Sequence, residues 1–201
     1  MARRRRSRQE AKEESRNALI RAGIDLFASE GLDGPSLDAI CRRAGYTRGA
    51  FYIHFKDRDD FLVAVMDRVG GQFLDAILAG TEGASDLAGV AGRFFVAVSR
   101  GEYPLMGRRG VKPHQLLDAC ARSKPIRSRY VALVEESIAR LGPVLAADPA
   151  IRKDVDSGDL ARLLLASIIG AQTMMELEVK MDLARLGRAA LALARGPARS
   201  A

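Results

Sequence analysis

The stretch Ser36–Phe55, SLDAICRRAGYTRGAFYIHF, decides the fold. The Ser36 hydroxyl can accept a backbone N–H that the first turn of a helix leaves unpaired. Asp38 then falls in that first turn, where a negative charge complements the helix dipole. Leu37, Ile40, Cys41 and Ala44 share one face of the short helix that follows. Gly45 stops it, because glycine takes the left-handed conformation past a helix end without a Cβ clash. Thr47 offers a second N-cap, opening another short helix through about Phe55. Phe51 and Phe55, four residues apart, are expected to point inward, which leaves Arg48, Gly49, Tyr52 and Lys56 to face out. A helix, a glycine turn and a second helix with a polar outer face make a helix-turn-helix pattern. In that pattern the second helix lies in a DNA major groove.

The flanks carry the pattern further. A preceding helix ends in LFASEGLDGPS (residues 26–36), and the run AGYTRGAFYIHFKDRDDFL (residues 44–62) leads into a long helix. Together these segments resemble the tetracycline-repressor (TetR) family of one-component regulators over roughly the first third of the chain. The resemblance implies an all-α protein. Its N-terminal three-helix domain would bind DNA, and a C-terminal helical domain would bind a ligand and dimerise. It also implies that Thr47, Arg48, Gly49, Tyr52, His54 and Lys56 line the DNA contact face, with Ser36 and Tyr46 steadying the flanking phosphates. Arg48 is the candidate base reader, since a guanidinium can donate two bonds to guanine. Tyr52 and Lys56 are expected on phosphates, which position a protein without specifying sequence.

Charge supports this placement. The formal net charge is +7 over 201 residues, with a pI near 9.8. Residues 1–56 hold 12 Lys/Arg against 7 Asp/Glu, and the remainder holds 20 against 18. Positive charge is therefore concentrated around the helix-turn-helix, as phosphate binding requires. Residues 1–14 are charged and expected to be disordered alone. Within them Arg3, Arg4, Arg5 and Arg6 are candidates for a minor-groove contact beside the reading helix.

Along the chain, residues 15–56 are assigned to the DNA-binding domain and 57–80 to a connecting helix. Residues 81–195 are assigned to ligand binding and dimerisation, and 196–201 to a tail. Leu19, Ile20, Ile24, Leu26 and Phe27 form the apolar stripe of a first helix over about 15–29. Asp57 caps the connecting helix, with Asp60 three residues on. Gly70-Gly71 interrupts that helix, either for close packing or as a flexible point. Further helices are expected over 86–100, 114–122, 125–147 (with a bend at Gly142-Pro143), 158–180 and 182–195.

The helix over 158–180 carries two apolar stripes, Leu160/Leu164/Ile168/Ala171/Met175 and Leu163/Ser167/Gly170/Met174/Leu177. A helix apolar on two sides is buried on two sides. Leu164, Ile168, Ala171 and Met175, with Leu186 and Ala190 of the last helix, are the candidate homodimer contacts. Phe94, Tyr103, Met106, His114, Gln172, Met175 and Glu176 are the candidate contacts for a small hydrophobic effector, apolar walls with a few polar groups being the usual make-up of a ligand site.

An enzyme fits poorly. The two histidines, His54 and His114, lack metal-ligand spacing, and no nucleophile motif or phosphate-cradling glycine loop occurs. Cys41 and Cys120 read as small buried apolar residues, not as a disulfide framework or metal site. No cofactor or metal is implied. No apolar run approaches the ~20 residues of a membrane span, so no membrane partner is expected. No signal-peptide pattern opens the chain, and a cytoplasmic location is expected. The expectation is a homodimeric repressor of an inverted-repeat operator in double-stranded DNA, released by the effector. A ligand-independent architectural DNA-binding protein and an activator of the same fold stay open as alternatives.

Overall fold

A computed structural model describes residues 7–78 and 110–195, all of the regular structure in it helical. The helices are α1 (Arg8–Glu30), α2 (Leu37–Ala44), α3 (Arg48–Tyr52), α4 (Arg58–Leu78), α5 (Pro113–Arg122), α6 (Lys124–Ala147), α7 (Ser157–Glu176) and α8 (Leu183–Arg195). No helix among the described residues is long and apolar enough to cross a membrane. The expected helix over 86–100, the arginines at 3–6, Phe94, Tyr103, Met106 and the 196–201 tail lie outside the described residues.

Helix α1 starts about three turns before its apolar stripe does, at Arg8. Ser7 accepts the Glu10 N–H at 3.1 Å, and the Glu10 carboxylate accepts the Ser7 N–H at 2.8 Å. This reciprocal capping satisfies two otherwise orphaned donors and lets an exposed, charged segment be helical without burying anything. Residues 8–14, expected to be disordered, are therefore helix. Farther along, Leu19, Ile20 and Phe27 are buried as their spacing predicts, while Ile24 and Leu26 are half-buried.

The chain divides into two compact units. The first holds described residues 7–70 and 110–129, and the second 71–78 and 130–195. The division falls inside α4 between Gly70 and Gly71, where the helix continues unbroken, and a Cβ at Gly71 would meet no atom within 4 Å. Open space there does not support close packing as the reason for Gly71.

The first unit closes around four phenylalanines. Phe51, Phe55 and Phe61 form a triangle with ring centroids 5.0–5.3 Å apart, and Phe27 joins Phe61 at 6.2 Å. All four are fully buried beside Leu19, Ile20, Ile40 and Val65. Tilted and edge-on pairs of this kind add to the area term, itself about 1.5–3 kcal/mol for a large apolar side chain. The same unit includes α5, which the sequence reading grouped with the ligand-binding residues. Val111, Ala119 and Cys120 bury its apolar side.

In the second unit Ile138 and Leu145 of α6, Ile151 of the following loop, Leu160 and Ala161 of α7, and Ala194 of α8 make a purely aliphatic core. Helix α6 passes through Pro143 without a break in its assignment. Helix α7 ends earlier than expected, at Glu176. Its last carbonyls are closed by the N–H groups of Leu177, Glu178 and Val179, with Glu178 in the left-handed region at φ 64°.

Candidate nucleic-acid interface

The caps and the glycine stop expected over residues 36–55 are present as geometry, although α3 ends at Tyr52 and does not run on to Phe55. Ser36 Oγ accepts the Ala39 N–H at 3.1 Å and Thr47 Oγ1 the Ala50 N–H at 3.3 Å. Gly45 sits at φ 77°, ψ 27°, and the next N–H, from Tyr46, closes on the Cys41 carbonyl at 2.9 Å. That pair of features is a left-handed helix stop, which turns the chain sharply from α2 into α3. Asp57 then accepts the Asp60 N–H at 2.9 Å, and Asp60 accepts the Lys56 N–H at 3.0 Å, starting α4 directly after the reading helix. Cys41 is buried under α2, and burial pushes its thiol up from the ordinary range. Cys120 behaves likewise.

With Phe51 pinned in the core, the other side of α3 is presented outward. Thr47, Arg48, Gly49, Tyr52 and Lys56 are exposed, Ser36 is exposed at the start of α2, and Tyr46 is half-buried in the turn. Among the described residues, the nearest side-chain atom to where a Gly49 side chain would begin is the Thr47 hydroxyl at 3.7 Å, so another surface can approach the backbone there. Arg48 Nε lies 3.6 Å from the Asp38 carboxylate. The Tyr52 hydroxyl first, and Asp38 second, hold its guanidinium above its ordinary range, so it is a fixed positive charge. Both partners of the Arg48–Asp38 pair are more than half exposed, and such pairs are worth about 0–1 kcal/mol, weak enough to open for a better acceptor.

His54 is placed differently from the other predicted contacts. Its Nε2 is 2.7 Å from Ser15 Oγ, and the Ser15 hydroxyl itself donates to the Lys12 carbonyl at 2.9 Å. With that proton committed, the His54 Nε2–H donates to Ser15 and Nδ1 carries the lone pair, buried and without a hydrogen-bond partner. Burial, then the charges of Lys12 and Arg16, push its pKa below the usual histidine value. The ring thus braces α1 against the end of α3 and stands apart from the exposed contact face.

Ile53, 66% exposed at the end of α3, is an outward apolar side chain that the sequence reading left out. Its position two residues after Phe51 was the available signal, since that spacing points it to the other side of the helix. Arg42, exposed in the last turn of α2, is a cation on the same unit that the sequence reading also left out.

The described effector candidates fall in both units. His114 is exposed on α5 in the first unit, while Gln172, Met175 and Glu176 lie on α7 in the second. Met175 lines an open recess with Glu178, Val179, Lys180, Met181 and Asp182. Of the predicted dimer residues, Leu164 packs on the core of its own unit and Ala171 is buried within the chain. Ile168, Leu186 and Ala190 are half-buried. The stripe left open on α7 is the other one, Leu163, Met174 and Leu177, with Leu193 exposed on α8. An added Cβ at Gly170, on that same stripe, would meet nothing within 4 Å.

Residues 19–65 match the family model of bacterial regulatory proteins, tetR family. The regulator SrpR of Pseudomonas putida is 43% identical over 54 residues, covering 27% of this chain and 25% of SrpR. The chain thus spans about a quarter of the length of the curated relatives it matches at this level. In three dimensions the chain is similar to reduced NemR of E. coli, with TM-score 0.70 and 19% identity over 92% of this chain and 99% of NemR. It is also similar to SmeT of Stenotrophomonas maltophilia, with TM-score 0.62 and 25% identity over 90% of both chains. SrpR is a transcriptional regulator and SmeT a repressor, and with the reading helix, its caps and its exposed face in place, residues 19–65 carry the domain that the tetR family model of bacterial regulatory proteins describes.

Proposed function

We propose that the chain is a homodimeric repressor that binds an inverted-repeat operator through α2 and α3 and is released by a small hydrophobic ligand. One observation carries the DNA-binding part: Thr47, Arg48, Gly49, Tyr52 and Lys56 are exposed together on a reading helix whose opposite side is fixed by buried Phe51. Arg48 reads a base edge, Tyr52 and Lys56 hold phosphates, and Ile53 supplies an apolar contact to a thymine methyl or a sugar. The arginines at positions 3–6 add minor-groove affinity. Two identical readers need a twofold partner to address half-sites about 34–36 Å apart. The open stripe of α7 and α8 supports a second copy of this chain as that partner, because a symmetric pair covers the same apolar patch on both subunits.

Ligand release rests on the relatives and on the supply of apolar side chains. SmeT is described as the repressor of a multidrug efflux pump. Met175 and its neighbours around the α7–α8 recess suit an adaptable hydrophobic site. A ligand acts only through different affinity for two conformations, and typical coupling of about 1–3 kcal/mol weakens binding roughly 5–150-fold. The test is a thermal-shift screen of small hydrophobic compounds, with every stabilising compound retested for release of bound duplex. Compounds that stabilise the protein but never release the duplex defeat the ligand-relieved part. They leave DNA binding standing.

A further inference from the structure

We infer that Gln115 of α5 is a positioning residue for the DNA-reading helices, its side-chain amide clasping the α1–α2 turn in the pose that presents α3. This deepens the DNA-binding reading above and rests on it. Gln115 Oε1 accepts the Leu32 N–H at 3.2 Å and the Lys112 N–H at 3.1 Å, while Nε2 donates to the Asp33 carboxylate at 3.2 Å. One amide therefore joins the Lys112 N–H at the start of α5 to two consecutive residues of the turn. Arg122, at the far end of the same helix, reaches Asp33 at 4.0 Å.

The turn is gripped from a second direction as well. Arg58, the first residue of α4, donates to the Leu32 carbonyl at 2.7 Å and to the Pro35 carbonyl at 2.8 Å, with its guanidinium 5.7 Å from the Phe27 ring centre. Leu32 is thus held by its N–H from α5 and by its carbonyl from α4, with its side chain buried. Gly31 makes the approach possible. It lies at φ 78°, which a side chain rarely adopts, and a Cβ there would stand 3.0 Å from Gln115 Oε1. The next residue after the turn is Ser36, the cap of α2, so the aim of the turn is the aim of α2 and, past Gly45, of α3.

Adhesion of α5 does not depend on the amide. Val111, Ala119 and Cys120 already bury its apolar side. The polar contacts act on a segment that has no helix of its own to fix it, and a neutral hydrogen bond that adds little net stability still selects one geometry over its neighbours. That separates a positioning role from a purely structural one: aim should change more than stability.

The experiment uses the full chain with Gln115→Glu, Gln115→Ala, Asp33→Asn and the double variant Asp33→Asn/Gln115→Glu. The probe is the duplex enriched by the wild-type protein from a random-sequence pool. Glutamate keeps an acceptor for Leu32 and Lys112 but sets a carboxylate against that of Asp33. Asparagine at 33 supplies a donor again. Readouts are duplex affinity, the thermal midpoint, and hydrogen exchange of the Leu32 amide. Expected is a loss of about tenfold in affinity for Gln115→Glu and Gln115→Ala, the size of one or two neutral hydrogen bonds. Midpoints should stay close to wild type, and Leu32 exchange should be faster. The double variant should regain affinity to within about threefold of wild type. Wild-type affinity in Gln115→Ala, or a double variant no better than Gln115→Glu, overturns the clasp. A wild-type protein that enriches and binds no duplex overturns the DNA-binding reading instead, a distinct result visible before any variant is made.

Discussion

Phe51 on α3 is fully buried, while Leu163 and Leu177 on α7 are 59% and 73% exposed. Both helices carry bulky apolar residues at helical spacing, yet they use them in opposite ways. The reading helix spends them on a closed aromatic core and shows a polar, basic face to the outside. In α7 one apolar stripe makes the core of its own unit and the second is left uncovered. A short helix needs such an anchor, since five residues are far below the length at which a helix is stable alone. A long helix with two apolar faces has anchoring to spare, and the surplus is what a second copy of the chain would cover.

Phe51→Ala breaks the first half of this comparison with the largest expected effect. Truncating a fully buried phenylalanine costs about 3–5 kcal/mol, a large share of a typical 5–15 kcal/mol total. Chemical denaturation should show that loss, with DNA binding gone. Next comes Leu163→Glu, aimed at the open stripe. A charge on a surface position should leave the denaturation profile of the isolated subunit nearly unchanged, while light scattering reports monomer. Loss of paired half-site binding should weaken operator affinity on the order of a hundredfold or more. If Leu163→Glu stays dimeric at wild-type affinity, the open stripe is not the interface.

Arg48→Ala is expected to cost about 1–3 kcal/mol of binding and to relax preference at one base pair, with folding unaffected. An equal loss on all sequences would make Arg48 a phosphate contact. The smallest effect belongs to His54. Its pKa is lowered in the folded protein, so the unfolded chain binds the proton more readily. Its contribution is complete above the ordinary histidine value of about 6.5 and declines as pH falls from there toward the lower folded value. Stability curves of wild type and His54→Gln, measured between pH 7.5 and 5 (a range of about two units around that value), should differ in slope on the acid side. Parallel curves would mean that His54 does not titrate as its burial implies.

Legibility in the sequence followed the range of the interactions. The α2–turn–α3 segment was readable because Ser36, Gly45 and Thr47 act on backbone groups within a few residues of themselves. The early start of α1 had a local signal too, Ser7 followed three residues later by Glu10, but the density of charge around it pointed to disorder. Other features depend on distant partners. His54 turns inward to meet Ser15, 39 residues earlier. Gln115 joins the first unit through Leu32, 83 residues away. The two stripes of α7 are equally periodic, and only the packing of Leu145, Ile151 and Ala194 decides which of them is the inner one. Periodicity identified a helix with two partners; it could not say which face belonged to which.

The central claim is that the exposed face of α3 reads DNA as one half of a twofold pair. Repeated selection of random duplexes on the full-length protein, followed by sequencing, tests it most directly. The account predicts enrichment of an inverted repeat whose half-site centres lie about one helical turn apart, 10–10.5 base pairs or a small multiple of that. A selected pool with no common sequence, or with a single half-site and no symmetry, would contradict it.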